Sequence, residues 1–185
     1  MVLKRSVLFS VIAGTAFISA VHADEIYNRY LGQYATVGLG ASYANRIYVN
    51  GKTSSGFLSG GGAVFGGTML TTYFGPELGV QYYDLSPMRG ISIIDLSGRF
   101  NFPIKNSAYL LAKLGAAFAS LQTCYNGCKG SDGFSPSFGA GVGFGLAPTW
   151  TASLEFDGIY LYKSTQNGEG VVGGLLLAAT HYFSV

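Results

Sequence analysis

The stretch from Gly60 to Tyr83, GGGAVFGGTMLTTYFGPELGVQYY, reads as two arms that alternate residue by residue around a tight turn at Thr71-Thr72. On the first arm Ala63, Phe65, Gly67 and Met69 alternate with Val64, Gly66 and Thr68. On the second, Phe74, Pro76, Leu78, Val80 and Tyr82 alternate with Gly75, Glu77, Gly79 and Gln81. A period of two sends successive side chains to opposite faces of a strand, whereas a helix would repeat every three or four residues. One face of the second arm is continuously apolar and the other holds a carboxylate and two glycines. The two faces therefore meet different surroundings.

The same unit recurs along the chain. A first strand over about Tyr34 to Tyr43 sets Val37, Leu39, Ala41 and Tyr43 against Thr36, Gly38, Gly40 and Ser42, and turn chemistry makes Asn45 to Gly56 a long loop. After a second loop over Asp84 to Gly90, strand four alternates Ile94, Leu96, Gly98, Phe100 and Phe102 with Asp95, Ser97, Arg99 and Asn101, and is expected to stop at Pro103. A turn through Lys105-Asn106-Ser107 leads to strand five, with Lys113 on its polar face. Gln122 to Phe134 is read as a third long loop. Strand six carries Phe138 to Leu146, Pro148-Thr149 turns the chain into strand seven with Glu155 and Asp157, and a loop over Lys163 to Gly170 precedes strand eight, Val171 to Phe183. Long and short connections in strict alternation predict an eight-stranded antiparallel up-and-down barrel with both termini on the short-turn side.

Alternation alone fits a soluble lipocalin-like barrel as well as a membrane barrel, because the two differ in which face is apolar. Composition separates them. Apolar residues make up 49% and charged residues only 11%, where about 25% charged is usual, and the mean hydropathy is +0.33. Glu77, Asp95, Arg99, Lys113, Glu155 and Asp157 all fall on the polar face, among Gly, Ser and Thr, as expected of a narrow lumen. Aromatic residues collect at strand ends: Tyr73, Phe74, Phe102, Tyr109, Trp150 and Phe183 near the short turns, and Tyr43, Tyr82, Phe118, Phe138 and Tyr160 near the loops. Two such girdles fit the two lipid–water boundaries. The expected fold is thus an all-β, eight-stranded transmembrane barrel over residues 24–185.

A cleaved signal helix over residues 1–23 is expected ahead of it. Lys4 and Arg5 begin the segment, Ser6 to Ala20 is an uncharged apolar run, and Val21-His22-Ala23 offers small residues for cleavage. Its removal leaves nine basic against nine acidic residues, so nothing marks a nucleic-acid surface. Beyond Ala23 no apolar run is long enough for a transmembrane helix. A closed barrel is then the remaining way to cross lipid with every backbone group paired.

The six lumen charges sum to minus two, so Arg99 and Lys113 are expected to pair with the acids, with water or a bound proton covering the remainder. Structural ion pairing is the first reading of this set, ahead of permeation or gating. Cys124 and Cys128, bracketing Tyr125-Asn126-Gly127, are expected to form a disulfide at a loop tip in an exported protein. His181 is read as interfacial, and no constellation implies catalysis, a metal or another cofactor.

In order along the chain, GAVFGG and GPELGVQYY, Arg99-Phe100-Asn101-Phe102-Pro103-Ile104, Lys113-Leu114-Gly115, Ser135-Pro136-Ser137-Phe138, Gly141-Val142, and Leu154-Glu155-Phe156 after Pro148 resemble the transmembrane barrel domain of the outer-membrane protein A family. The resemblance covers the whole segment after residue 23. It implies lumen roles for Glu77, Arg99, Lys113 and Glu155, with Gly143 and Ser153 standing where the family has an acid and a base, so the family's charge-pair gate is incomplete. No counterpart of the family's separate peptidoglycan-binding domain is expected after strand eight. The resemblance further implies outer-membrane lipid as surroundings, periplasmic chaperones and the barrel-assembly machinery as partners, and Phe183, followed by Ser184 and Val185, as the aromatic that machinery reads. The expected role is a non-enzymatic outer-membrane surface protein, structural or adhesive, binding a host or surface ligand through loops that carry Arg46, Tyr48, Lys52, Tyr125, Lys129 and Gln166. The alternative is a narrow pore for water, ions or small solutes.

Overall fold

A computed structural model of the chain describes residues 30–49, 52–85, 90–105, 108–124, 128–162 and 170–183. The expected signal segment, the Asn106-Ser107 turn, most of the last loop and Ser184-Val185 lie outside the described residues. Eight strands follow in order: β1 (Gly32–Val49), β2 (Lys52–Met69), β3 (Phe74–Asp84), β4 (Gly90–Lys105), β5 (Ala108–Cys124), β6 (Cys128–Ala147), β7 (Trp150–Leu161) and β8 (Gly170–Tyr182). Each pairs antiparallel with the next, and β8 pairs back onto β1 to close the barrel. Closure leaves no lipid-exposed sheet edge around the wall.

Register fixes the barrel's shape. Followed from Tyr34 through Gly67, Glu77, Ser97, Gly115, Ser137, Ile159 and Val172, the pairing returns to β1 at Ala44, ten residues from its start. A stagger of this size goes with strands tilted by about 35–45°. The faces then sort as alternation requires. Leu39, Val64, Leu78, Val80, Ile94, Leu96, Leu114, Leu154 and Leu177 form an exposed apolar belt, while Glu77, Asp95, Arg99, Lys113, Glu155 and Asp157 are buried inside. On β3 exposed and buried positions alternate from Phe74 to Tyr83 without a break.

The short turn after β2 is held as its sequence suggests. Thr71 Oγ1 accepts the amides of Tyr73 (3.2 Å) and Phe74 (3.0 Å), while the amides of Leu70 and Thr71 donate to the Phe74 carbonyl. Two of the expected long loops are mostly strand. Ile47 pairs with Ser54 and Val49 with Lys52, and the β5–β6 hairpin stays paired out to Cys124 and Cys128. These segments outrun their other neighbours: β1 last meets β8 at Asn45–Val171, β2 first meets β3 at Gly61–Tyr83, and β6 first meets β7 at Ser137–Ile159. Hairpin pairing satisfies the backbone whatever the side chains are, so turn-type residues past the barrel rim do not stop a strand. Pro103 does not stop β4 either. It pairs with Tyr109 beside a register shift before Lys105, near a strand end and an irregularity where a missing amide is tolerated.

The girdle also needs one correction. Tyr109 points into the lumen, buried, while Phe74, Trp150 and Phe183 are exposed at the turn end and Tyr82 and Phe118 at the loop end. His181 sits at the turn-side rim between Trp150 (ring centroids 4.5 Å) and Phe183 (4.9 Å).

Candidate functional site

The lumen is stacked in three layers. Nearest the short turns lie Tyr30, Tyr34, Met69, Tyr109, Leu111 and Tyr182. Nearest the loops, Phe65, Tyr83, Ile91, Ile93, Ile159 and Leu176 belong to a second apolar cluster. The charges lie between.

Strand order produces this stacking. Inward positions on β5 run Tyr109, Leu111, Lys113, Gly115, Ala117; on β4 they run Asn101, Arg99, Ser97, Asp95, Ile93. The register pairs Arg99 with Lys113, and Lys113 with Gly139, which in turn pairs with Asp157. Gly139 has no side chain to separate Lys113 from Asp157.

Lys113 is the hub. Its Nζ lies 3.0 Å from Glu77 Oε1, 2.9 Å from Glu155 Oε2 and 3.3 Å from Asp157 Oδ1. It also sits 3.8 Å from the centroid of the Phe65 ring, so an apolar-layer residue caps the cation. Arg99 reaches Glu77 Oε2 at 3.2 Å and Glu155 Oε1 at 3.7 Å, and its Nε donates to Asn101 Oδ1 at 3.3 Å. Tyr34 donates its hydroxyl to Glu77 Oε2 (2.9 Å), and Ser153 donates to Glu155 Oε1. All five charged side chains are essentially inaccessible to solvent.

Five of the six predicted lumen charges thus meet in one network. Asp95 does not join those ion pairs: it lies toward the loops, where its Oδ1 accepts from Ser137 Oγ at 2.6 Å. The positions that depart from the family pattern are occupied in another way. The Tyr109 ring lies over Gly143, where a Cβ would overlap it, and its hydroxyl meets Thr151 Oγ1 at 3.1 Å.

Rings on glycines recur throughout the lumen. Tyr34 covers Gly67, Phe65 covers Gly79, and Tyr83 lies against both Gly61 and Gly174. These lumen glycines make room for aromatic rings. The ring layers were the part missed by sequence reasoning, and the signal for them was the pairing of inward glycines with inward aromatics on the adjacent strand.

Two expected features lie at the ends of the barrel. The backbone pairs Cys124 with Cys128, and their side chains lie outside those described. Directly paired antiparallel residues have Cα atoms about 4.5–5.5 Å apart, within the disulfide range of about 4.4–6.8 Å. We therefore propose the Cys124–Cys128 disulfide. The oxidised protein is expected to resist maleimide labelling until a reductant is added; labelling without reductant would refute the bond. At the other end, the Phe183 amide donates to the Gln33 carbonyl at 2.8 Å, which ties the exposed ring to the closing strand pair.

Residues 9–177 match the sequence model of a family described as the outer membrane protein beta-barrel domain. No curated protein matches the sequence significantly. Among solved structures, the fold is similar to Neisserial surface protein A, at 12% identity and a TM-score of 0.69 over 82% of this chain and 97% of that one. It is also similar to the N-terminal barrel of Pseudomonas aeruginosa OprF, at 14% identity and 0.60 over 83% and 98%. The Yersinia pestis attachment invasion locus protein Ail matches at 15% identity and 0.56 over 83% and 99%.

Proposed function

We propose, since this chain belongs to the outer membrane protein β-barrel domain family and resides in the bacterial outer membrane, that it is a non-enzymatic surface protein whose barrel is a closed scaffold and whose outward hairpins bind. The filled lumen carries this reading. Among the described residues the ion-pair network has almost no solvent exposure, and clusters of buried apolar and aromatic side chains lie on both sides of it, which supports a closed barrel. What remains to act is the rim, where β1–β2 and β5–β6 rise past their neighbours. Ser42 and Ser59 brace the base of the first hairpin against Asp84: Ser59 Oγ donates to Asp84 Oδ2 (2.9 Å), and Ser42 Oγ donates to its carbonyl.

Ail, of the same fold, has been crystallised with the heparin analogue sucrose octasulfate. Sulfated polyanions are accordingly the first probe for hairpins that carry Lys52 and Lys129. In planar bilayers the refolded barrel is expected to stay silent. Binding to immobilised heparin is expected to fall when residues 47–54 are replaced by a two-residue turn. Steady conductance that changes on Glu77→Ala or Arg99→Ala would replace this reading with the narrow pore.

A further inference from the structure

On the outer wall, a recess of about 440 Å3 is lined by Asn45, Arg46, Tyr160, Gly170 and Val171. Register makes it one row across three strands, Asn45 pairing with Val171 and Val171 with Tyr160. The flanking residues Ala44, Val172 and Ile159 are buried in the lumen, so the row itself faces outward. One row nearer the short turns come Tyr43, Gly173 and Gly158, and there the Tyr43 and Phe156 rings meet edge to face at 5.9 Å, with Phe138 a further 6.2 Å on. Tyr43 and Phe138 belong to the loop-side aromatic girdle, which marks the edge of the hydrocarbon layer. The recess sits at the outer margin of this girdle, lined by its Tyr160, at the level of lipid headgroups.

The backbone at the recess is irregular. The β1–β2 register shifts between Ala44 and Ile47, and Arg46 adopts a positive φ of 57° although it is not glycine. Its amide donates to Ser55 Oγ at 3.2 Å, and a side chain at Gly170 would overlap the Asn45 carbonyl. Bulges re-aim side chains, and non-glycine residues held at positive φ cluster at functional sites. Here the bulge sets an arginine beside an outward recess.

We propose that this recess binds a phosphate-bearing headgroup of an outer-leaflet lipid, with the Arg46 guanidinium on the phosphate and Asn45 as a second polar contact. The planar guanidinium presents paired donors that match phosphate oxygens. A lipid is the occupant rather than free phosphate, because the recess is continuous with the lipid-facing belt through the girdle. The proposal does not depend on what the hairpins bind.

The test uses the full barrel in phosphatidylcholine nanodiscs doped with lipid A, with retained lipids counted by native mass spectrometry. Wild type is expected to retain lipid A, and Arg46→Glu to lose about tenfold or more of that affinity with unchanged heat-modifiable migration on gels. Val171→Trp, which fills the recess without changing charge, is expected to do the same, and dephosphorylated lipid A to bind as weakly. Equal retention by wild type and Arg46→Glu, or of the phosphorylated and dephosphorylated lipids, would overturn the proposal. Displacement by millimolar inorganic phosphate would overturn the choice of a lipid.

Discussion

Replacing Lys113 with methionine is expected to lower the unfolding free energy of the barrel by about 3–5 kcal/mol, the usual cost of removing one partner from a buried ion network. Methionine keeps much of the volume and the contact with Phe65. It removes the single cation within 3.3 Å of three carboxylates, from Glu77, Glu155 and Asp157. Arg99 reaches only the two glutamates, so among the described residues no other cation is left paired with Asp157. The loss is measured by urea unfolding in detergent micelles, followed through Trp150, the only tryptophan. The triple variant Lys113→Met, Glu155→Gln, Asp157→Asn should recover most of the lost stability, because the cost lies in the uncompensated charges. A single-variant loss below about 1 kcal/mol, the scale of an exposed pair, would mean that water enters the network.

Tyr83→Ala is expected to cost about 3–5 kcal/mol by a different route, cavity formation. The ring is fully buried against Gly61 and Gly174, two positions with no side chain to move into the gap. The hydroxyl contributes less: it donates to Gln81 Oε1 at 2.7 Å, so Tyr83→Phe should lose only about 1 kcal/mol. The same urea titration separates the two substitutions. Equal losses would assign the stability to the hydrogen bond rather than to packing. Because the charge layer lies below this ring, Tyr83→Ala should remain silent in planar bilayers.

Faces were readable from the sequence, whereas heights were not. The alternation from Phe74 to Tyr83 specified which side of β3 meets lipid, since a one-residue slip would have put Glu77 there. The six charges could be assigned to the interior for the same reason. Their distribution along the axis depends on the ten-residue stagger, which no local pattern carries, and so Asp95 could not be separated from the network. Near the loop end of β4, Ile91, Ile93 and Ile94 make both faces apolar and erase the contrast on which period-two reading relies. The ring layers were hidden because Tyr34 and Gly67, or Tyr109 and Gly143, become neighbours only through strand pairing. Loop lengths failed for a related reason. Composition over 45–56 and 122–134 reports a polar environment, and a hairpin above the membrane is polar and paired at once.

The seam between β1 and β8 carries a consequence for the order of assembly. Every member of the ion network comes from β3, β4, β5 or β7. Across the seam itself, Thr36 Oγ1 meets Thr180 Oγ1 at 2.8 Å, and the Tyr34 and Tyr182 rings lie 5.5 Å apart. Among the described residues, the first and last strands of the barrel therefore meet without any of the lumen ion pairs. If sealing is the final step, no cation or carboxylate has to find its partner at that moment, and the late barrier is set by backbone pairing and ring packing rather than by desolvating charge.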